Sequence, residues 1–113
     1  MEVKAKECAT RLDFAGLAEI FDSCPVLRGA SASSLLSVVA FNHPLDVAKA
    51  KIMIEFLLKN GADINTKGLL GNSPLDEAYN VLIMRGDPSD CEFTRYLRAL
   101  GGKEAKRQMT ALR

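Results

Sequence analysis

The sequence predicts an all-α protein built from repeated helix-turn-helix pairs, because two of its segments share one plan. Residues 31–65 and residues 71–105 each contain an apolar stretch, a break with a proline, a second apolar stretch and a glycine. The segments stay in register, so that Gly61 of the first recurs 40 residues later as Gly101. Repeats of this length are typical of proteins in which helix pairs stack side by side.

Length and composition fit a single small soluble domain. The chain has 113 residues, of which 48% are hydrophobic and 26% charged, enough to form one core. Fifteen basic residues balance fourteen acidic ones, and this near-neutral charge disfavours a dedicated nucleic-acid binder. No apolar run approaches the roughly 20 residues that a membrane span needs, and the N-terminus lacks the apolar stretch of a secretory signal. We therefore expect a cytoplasmic protein with no membrane partner.

The first helix of the second unit has clear start signals. Ser73 is predicted as its N-cap, Pro74 as its first residue and Asp76 as an acidic residue of the first turn. An apolar stripe follows at helical spacing, made of Leu75, Ala78, Tyr79 and Leu82. This helix is therefore expected to bury one face.

The second helix of that unit follows a predicted turn. Residues 86–88 read Gly-Asp-Pro, a combination that interrupts helices. Ser89 or Asp90 is then expected to cap the next helix, which should end at the glycine pair 101–102.

The helices of the earlier unit are predicted in the same way. The break at residues 42–44 ends one helix, and Asp46 caps the next. That second helix should stop at residues 60–61, with Gly61 in the left-handed conformation common just after helix C-termini.

The connection between the two units carries a specific sequence pattern. Residues 56–65 read FLLKNGADIN, and residues 71–78 read GNSPLDEA. This pattern resembles the junction of two ankyrin repeats, where the family has LLxxGADxN followed by GxTPLHxA. The resemblance implies an ankyrin-like solenoid of about three helix-turn-helix pairs with short connecting hairpin loops, here at residues 62–71. Ser73 and Asp76 depart from the pattern, since the family has Thr and His there.

Under this resemblance the chain, residues 1–113, is a single ankyrin-like repeat domain. Its parts would be an N-terminal capping pair at 3–24, repeats at 31–61 and 71–102, and a C-terminal capping helix or tail at 103–113. Each repeat is about six or seven residues longer than the family period of about 33 residues. The additions fall around Phe41–Val47 and Leu82–Ser89, where they are expected to lengthen the helices or the turn between them.

The resemblance also implies a partner-binding surface. In the family, the hairpin tips and the exposed side of the first helix of each pair contact the partner. The matching positions here are Lys67, Leu69, Leu70, Asn72, Asp76, Asn80 and Val81, and in the preceding unit Phe41 and Asn42. Leu69 and Leu70 carry most weight, because a hairpin tip offers two leucines little to pack against, unless one of them folds back over the neighbouring hairpin.

These features predict a non-catalytic module that binds another protein. It would act as an adaptor or as a stoichiometric inhibitor, for example an immunity protein that blocks a toxin. Three alternatives stay open: a small enzyme or ligand-binding domain on the same scaffold, a structural piece of a larger ankyrin protein, and a weak nucleic-acid binder that uses the basic tail 103–113.

No residue pattern points to catalysis. His43 is the single histidine, and it directly precedes a proline in a predicted turn. Cys8, Cys24 and Cys91 have no paired spacing, so they indicate neither a zinc site nor a disulfide frame, and we expect buried thiols in a reducing compartment. The glycine-rich motifs of nucleotide sites are also missing from the sequence. We therefore expect no catalytic residue, no metal ligand and no cofactor.

Overall fold

The computed structural model describes residues 2–24, 29–68, 71–88 and 91–104 of the chain. The described residues form α-helices and one short 3-10 helix, and these ranges contain no strand. The helices are α1 (Glu2–Arg11), α2 (Phe14–Ser23), α3 (Ala30–Phe41), α4 (Val47–Lys59), α5 (Pro74–Arg85) and α6 (Glu92–Ala99), with the 3-10 helix at His43–Leu45. The prediction of an all-α fold is therefore confirmed.

The helices pack in two layers. Helix α3 lies between α1 and α5, and we call these three helices the first layer. Helix α4 contacts both α2 and α6, and we call these three the second layer. Consecutive helices join the layers, since α1 packs on α2, α3 on α4 and α5 on α6. The molecule is correspondingly elongated, measuring 46 × 23 × 23 Å.

The predicted start of α5 is confirmed in detail. The hydroxyl Oγ of Ser73 accepts a hydrogen bond from the backbone N–H of Asp76 at 3.2 Å. In return, Oδ2 of Asp76 accepts from the backbone N–H of Ser73 at 3.0 Å. This reciprocal pair is a capping box, and it satisfies two N–H groups that the helix itself leaves without partners.

The other helix ends agree with the sequence except at α6. Asp46 caps α4 by accepting from the N–H of Lys49 at 3.1 Å, and Gly61 has a φ of +93° just after that helix, as predicted. Helix α6 is capped by Cys91, so the assignment to Ser89 or Asp90 is wrong. The reason is that Oγ1 of Thr94 accepts from the N–H of Cys91 at 3.0 Å and fixes the start of the helix there. Ser89 and Asp90 lie outside the described residues.

One core runs through both layers. Its fully buried large side chains include Leu17 and Phe21 from α2, Leu36 from α3, Met53, Ile54 and Leu57 from α4, Leu75 from α5, and Phe93 and Leu97 from α6. Because every unit contributes to the same core, the N-terminal helix pair is held to the rest of the chain by apolar packing.

The internal repeat of the sequence has a counterpart in the hydrogen bonds. Oγ of Ser33 in α3 accepts from the backbone N–H of Asp63, which follows α4, at 2.8 Å. Forty residues later, Oγ of Ser73 donates to the backbone carbonyl of Lys103, which follows α6, at 2.7 Å. In both units, therefore, the hydroxyl of a serine near the start of the first helix is hydrogen-bonded to the backbone just after the second helix.

Residues 41–47 contain the 3-10 helix His43–Leu45 between α3 and α4, and α5 extends to Arg85. The 3-10 helix and Arg85 both lie at the end of the helix pairs opposite the loop 62–73.

Candidate functional site

A shallow groove crosses the surface of the first layer. Its volume is about 340 Å³, at the lower end of the roughly 300–1,000 Å³ of typical ligand pockets. It is lined by Lys6 and Thr10 from α1, Ser37, Val38 and Phe41 from α3, Asn42 just after α3, and Glu77 from α5. Since α3 lies between α1 and α5, its apolar side chains have polar groups on either side.

The apolar part of the groove follows from the composition of α3. This helix reads ASASSLLSVVAF and has no charged residue, so its outward face consists of serines and apolar side chains. Leu36 and Val39 are fully buried, whereas Val38 and Phe41, three residues apart on one face, stay half-buried. The groove is thus the part of α3 that α1 and α5 leave uncovered.

Glu77 is held in a fixed position beside the groove. Its Oε1 accepts one hydrogen bond from Nδ2 of Asn72 at 3.2 Å and another from Nδ2 of Asn80 at 3.1 Å. Both donors are neutral amides, and no described residue places a basic group within 4.0 Å of the carboxylate. The carboxylate is therefore oriented by its neighbours but is not paired with a basic group of the described residues.

Two of the sequence-predicted residues line this groove, and two more hold Glu77, which also lines it. Phe41 and Asn42 line it directly, and Asn42 is itself fixed because its Nδ2 donates to the carbonyl of Val38 at 2.8 Å. Asn72 and Asn80 act through the Glu77 carboxylate that they hold.

Two other predicted residues have little surface to offer a partner. Asp76 is only 1% exposed, because its carboxylate turns back to the N-terminus of α5 to complete the capping box. Val81 is 9% exposed, because it lies on the packed side of the same helix. We therefore leave Asp76 and Val81 out of the contact surface.

The remaining predicted residues belong to the loop 62–73 and to the C-terminus. Lys67 is exposed in the loop, but it does not line the groove. The N–H of Gly68 donates to the carbonyl of Asn72 at 2.9 Å, so the chain turns back on itself there. Leu69, Leu70 and the basic segment from Ala105 onward lie outside the described residues.

Sequence reasoning missed five lining residues of the groove: Lys6, Thr10, Ser37, Val38 and Glu77. The spacing of Glu77 and Asn80, three residues apart on one helix, was a local signal that the two side chains could touch. No sequence signal places Lys6 and Thr10 of α1 beside α3, because these two residues reach the groove only through the packing of the helices.

The sequence predicted buried thiols, with Cys91 half-buried, and all three cysteines are free and half-buried in the structure. Burial raises the pKa of the Cys8 thiol, and the nearby Asp13 carboxylate raises it further, so the reactive thiolate is disfavoured. Among the described residues no group of three or more His, Cys, Asp or Glu side chains could hold a metal ion.

His43 is a packed residue of the core region. It is 2% exposed, its ring stacks on the ring of Phe93 with the centroids 4.3 Å apart, and its Nδ1 lies 2.8 Å from the carbonyl oxygen of Ala40. Burial lowers the pKa of His43, and the positive charge of Arg85 acts in the same direction, against the hydrogen bond to Ala40.

This burial predicts a loss of stability in acid. The unfolded chain takes up a proton on His43 near pH 6.5, before the folded chain does, so the free energy of unfolding should fall as the pH drops below about 6.5. Above that pH, neutral His43 makes its full contribution to the free energy of unfolding. The variant His43→Gln cannot take up this proton, and urea unfolding at about pH 7 and about pH 5 should show a smaller fall for it than for the wild type. Equal falls would contradict the assignment.

No helix within the described ranges combines the length and the apolar character that a membrane crossing requires.

The resemblance of residues 56–78 to the ankyrin pattern stays a prediction from the sequence. The described helices are paired and layered. Comparison with known protein families, with curated proteins and with solved structures finds no match to this chain.

Proposed function

We propose that the chain is a non-catalytic protein-binding module, an ankyrin-like stack of about three helix pairs, which contacts its partner at the groove of the first layer. Such a module would act as an adaptor or as a stoichiometric inhibitor, for example an immunity protein, by covering the surface that it binds. Stacked helices suit this role, because a surface held by packing on both sides loses little conformational freedom on binding.

The position of Phe41 is the observation that carries the proposal. The chain has five phenylalanines and two tyrosines, all within the described ranges. The other six belong to the core or pack against it, and Phe41 alone does neither. A large ring that contributes nothing to the core and is flanked by polar groups is typical of an interface anchor.

The test compares two substitutions on opposite layers. Phe41→Gln removes the ring but keeps a side chain of good helix propensity, and Ile52→Gln makes a matched change at an exposed position of α4 in the second layer. The immobilised wild type should retain a partner from native cell extract saturably and in a fixed ratio. Loss of a central anchor typically costs 2 kcal/mol or more, so Phe41→Gln should weaken binding at least about 30-fold.

The control decides how the result is interpreted. Ile52→Gln should bind as the wild type does, and both variants should unfold within a few degrees of it, since neither side chain belongs to the core. If Phe41→Gln keeps full affinity, or if both variants lose affinity equally, the proposed surface is wrong.

A further inference from the structure

We infer that the partner segment seated in this groove carries a basic side chain, preferably Arg, next to a large apolar one. This inference rests on the proposed function and adds the chemistry of the partner to it. The apolar side chain would cover Val38 and Phe41, and the basic group would pair with Glu77.

The argument starts from what covering the groove would do to Glu77. Any apolar group that fills the space over Val38 and Phe41 removes water from the carboxylate that lines the same groove. A desolvated carboxylate is costly unless a positive group compensates it. Its two described hydrogen bonds come from neutral amides, which orient the charge but do not balance it. The partner therefore has to supply the cation.

The geometry of the carboxylate favours a guanidinium. Both amide bonds go to Oε1, so no described residue donates to Oε2, the second carboxylate oxygen. A carboxylate that is already oriented loses little freedom when it accepts a planar donor such as Arg.

Lys6, on the opposite side of the groove, needs an oppositely charged partner residue less than Glu77 does. Its side chain is exposed, and no described residue places an acidic oxygen within 4.0 Å of its ammonium group. A long lysine side chain can keep its charge in water when the groove is covered, so an acidic partner residue there is tolerated but not required. Glu77 on the α5 side and Lys6 on the α1 side of the groove together favour a partner whose basic group lies on the α5 side of its apolar residue.

The experiment uses a phage-displayed library of random 12-residue peptides, selected on the full chain. Enriched peptides should place Lys or Arg next to Phe, Leu, Ile, Met or Trp. Their affinity, measured by fluorescence polarisation, should fall about tenfold for Glu77→Gln, which keeps an acceptor oxygen for Asn72 and Asn80 but removes the charge. The matched variant Glu55→Gln, at an exposed position of α4, should bind the same peptides as the wild type does.

The outcomes separate this inference from the proposed function. Enriched peptides without a basic residue would overturn the inference, as would equal affinities for Glu77→Gln and Glu55→Gln. If Phe41→Gln abolishes binding of those same peptides, the groove is still the binding surface and only the assigned chemistry is wrong. A selection that enriches no peptide also overturns the inference, and the proposed function then depends on the cell-extract experiment alone.

Discussion

Replacing Phe93 by alanine should lower the free energy of unfolding by about 3–5 kcal/mol, the usual cost of emptying a buried phenylalanine site. Phe93 is 0% exposed, and its ring lies parallel to that of His43, with 4° between the two planes. The ring therefore joins α6 to the 3-10 helix, two elements from different units of the repeat. Because the total free energy of unfolding of a small domain is only about 5–15 kcal/mol, this single change should bring the protein close to unfolding.

Urea unfolding followed by circular dichroism measures this loss. The control is Leu45→Ala in the same 3-10 helix, where the side chain is 66% exposed, so the change should stay within about 0.5 kcal/mol. A cost below about 1 kcal/mol for Phe93→Ala would mean that the ring is not sealed between these elements.

Replacing Ser73 by alanine should cost about 2–3 kcal/mol, more than the loss of an ordinary helix cap. Its hydroxyl both caps α5, by accepting from the N–H of Asp76, and donates to the carbonyl of Lys103 at 2.7 Å. Loss of the cap accounts for about 1 kcal/mol, and the broken bond to a partly buried carbonyl adds about as much again or more.

An exposed cap provides the comparison. Asp46 makes one capping bond, to the N–H of Lys49 at 3.1 Å, and Asp46→Ala should cost about 1 kcal/mol in the same denaturation experiment. The excess for Ser73→Ala then measures the bond that holds the chain after α6. Equal costs for the two variants would show that this bond contributes nothing to stability.

The features predicted well from the sequence are those set by neighbouring residues. Ser73, Pro74 and Asp76 define the start of α5 because a capping box involves residues three apart. The start of α6 was misplaced for a related reason. Cys91 is a poor cap by residue type, and the helix start is fixed instead by Oγ1 of Thr94, which accepts from the backbone N–H of Cys91.

Asp76 shows how a local rule can override an assignment made by resemblance. Its position in the ankyrin pattern put it on the binding surface, while its place next to the predicted cap Ser73 put it in the first turn of α5. In the structure the cap prevails, and the carboxylate is buried because it accepts from a backbone N–H that would otherwise lack a partner.

The sequence by itself determined the helical class, the breaks at 42–44 and 86–88, and the caps at Asp46 and Ser73. These features depend on hydrogen bonds and spacings within about one helical turn, which the order of residues specifies directly. Only the tertiary structure brought Lys6 and Glu77 to opposite sides of α3 and left Phe41 outside the core. Those outcomes depend on how helices far apart in the chain pack together, because packing decides which part of an apolar face is covered and which part is left for a partner.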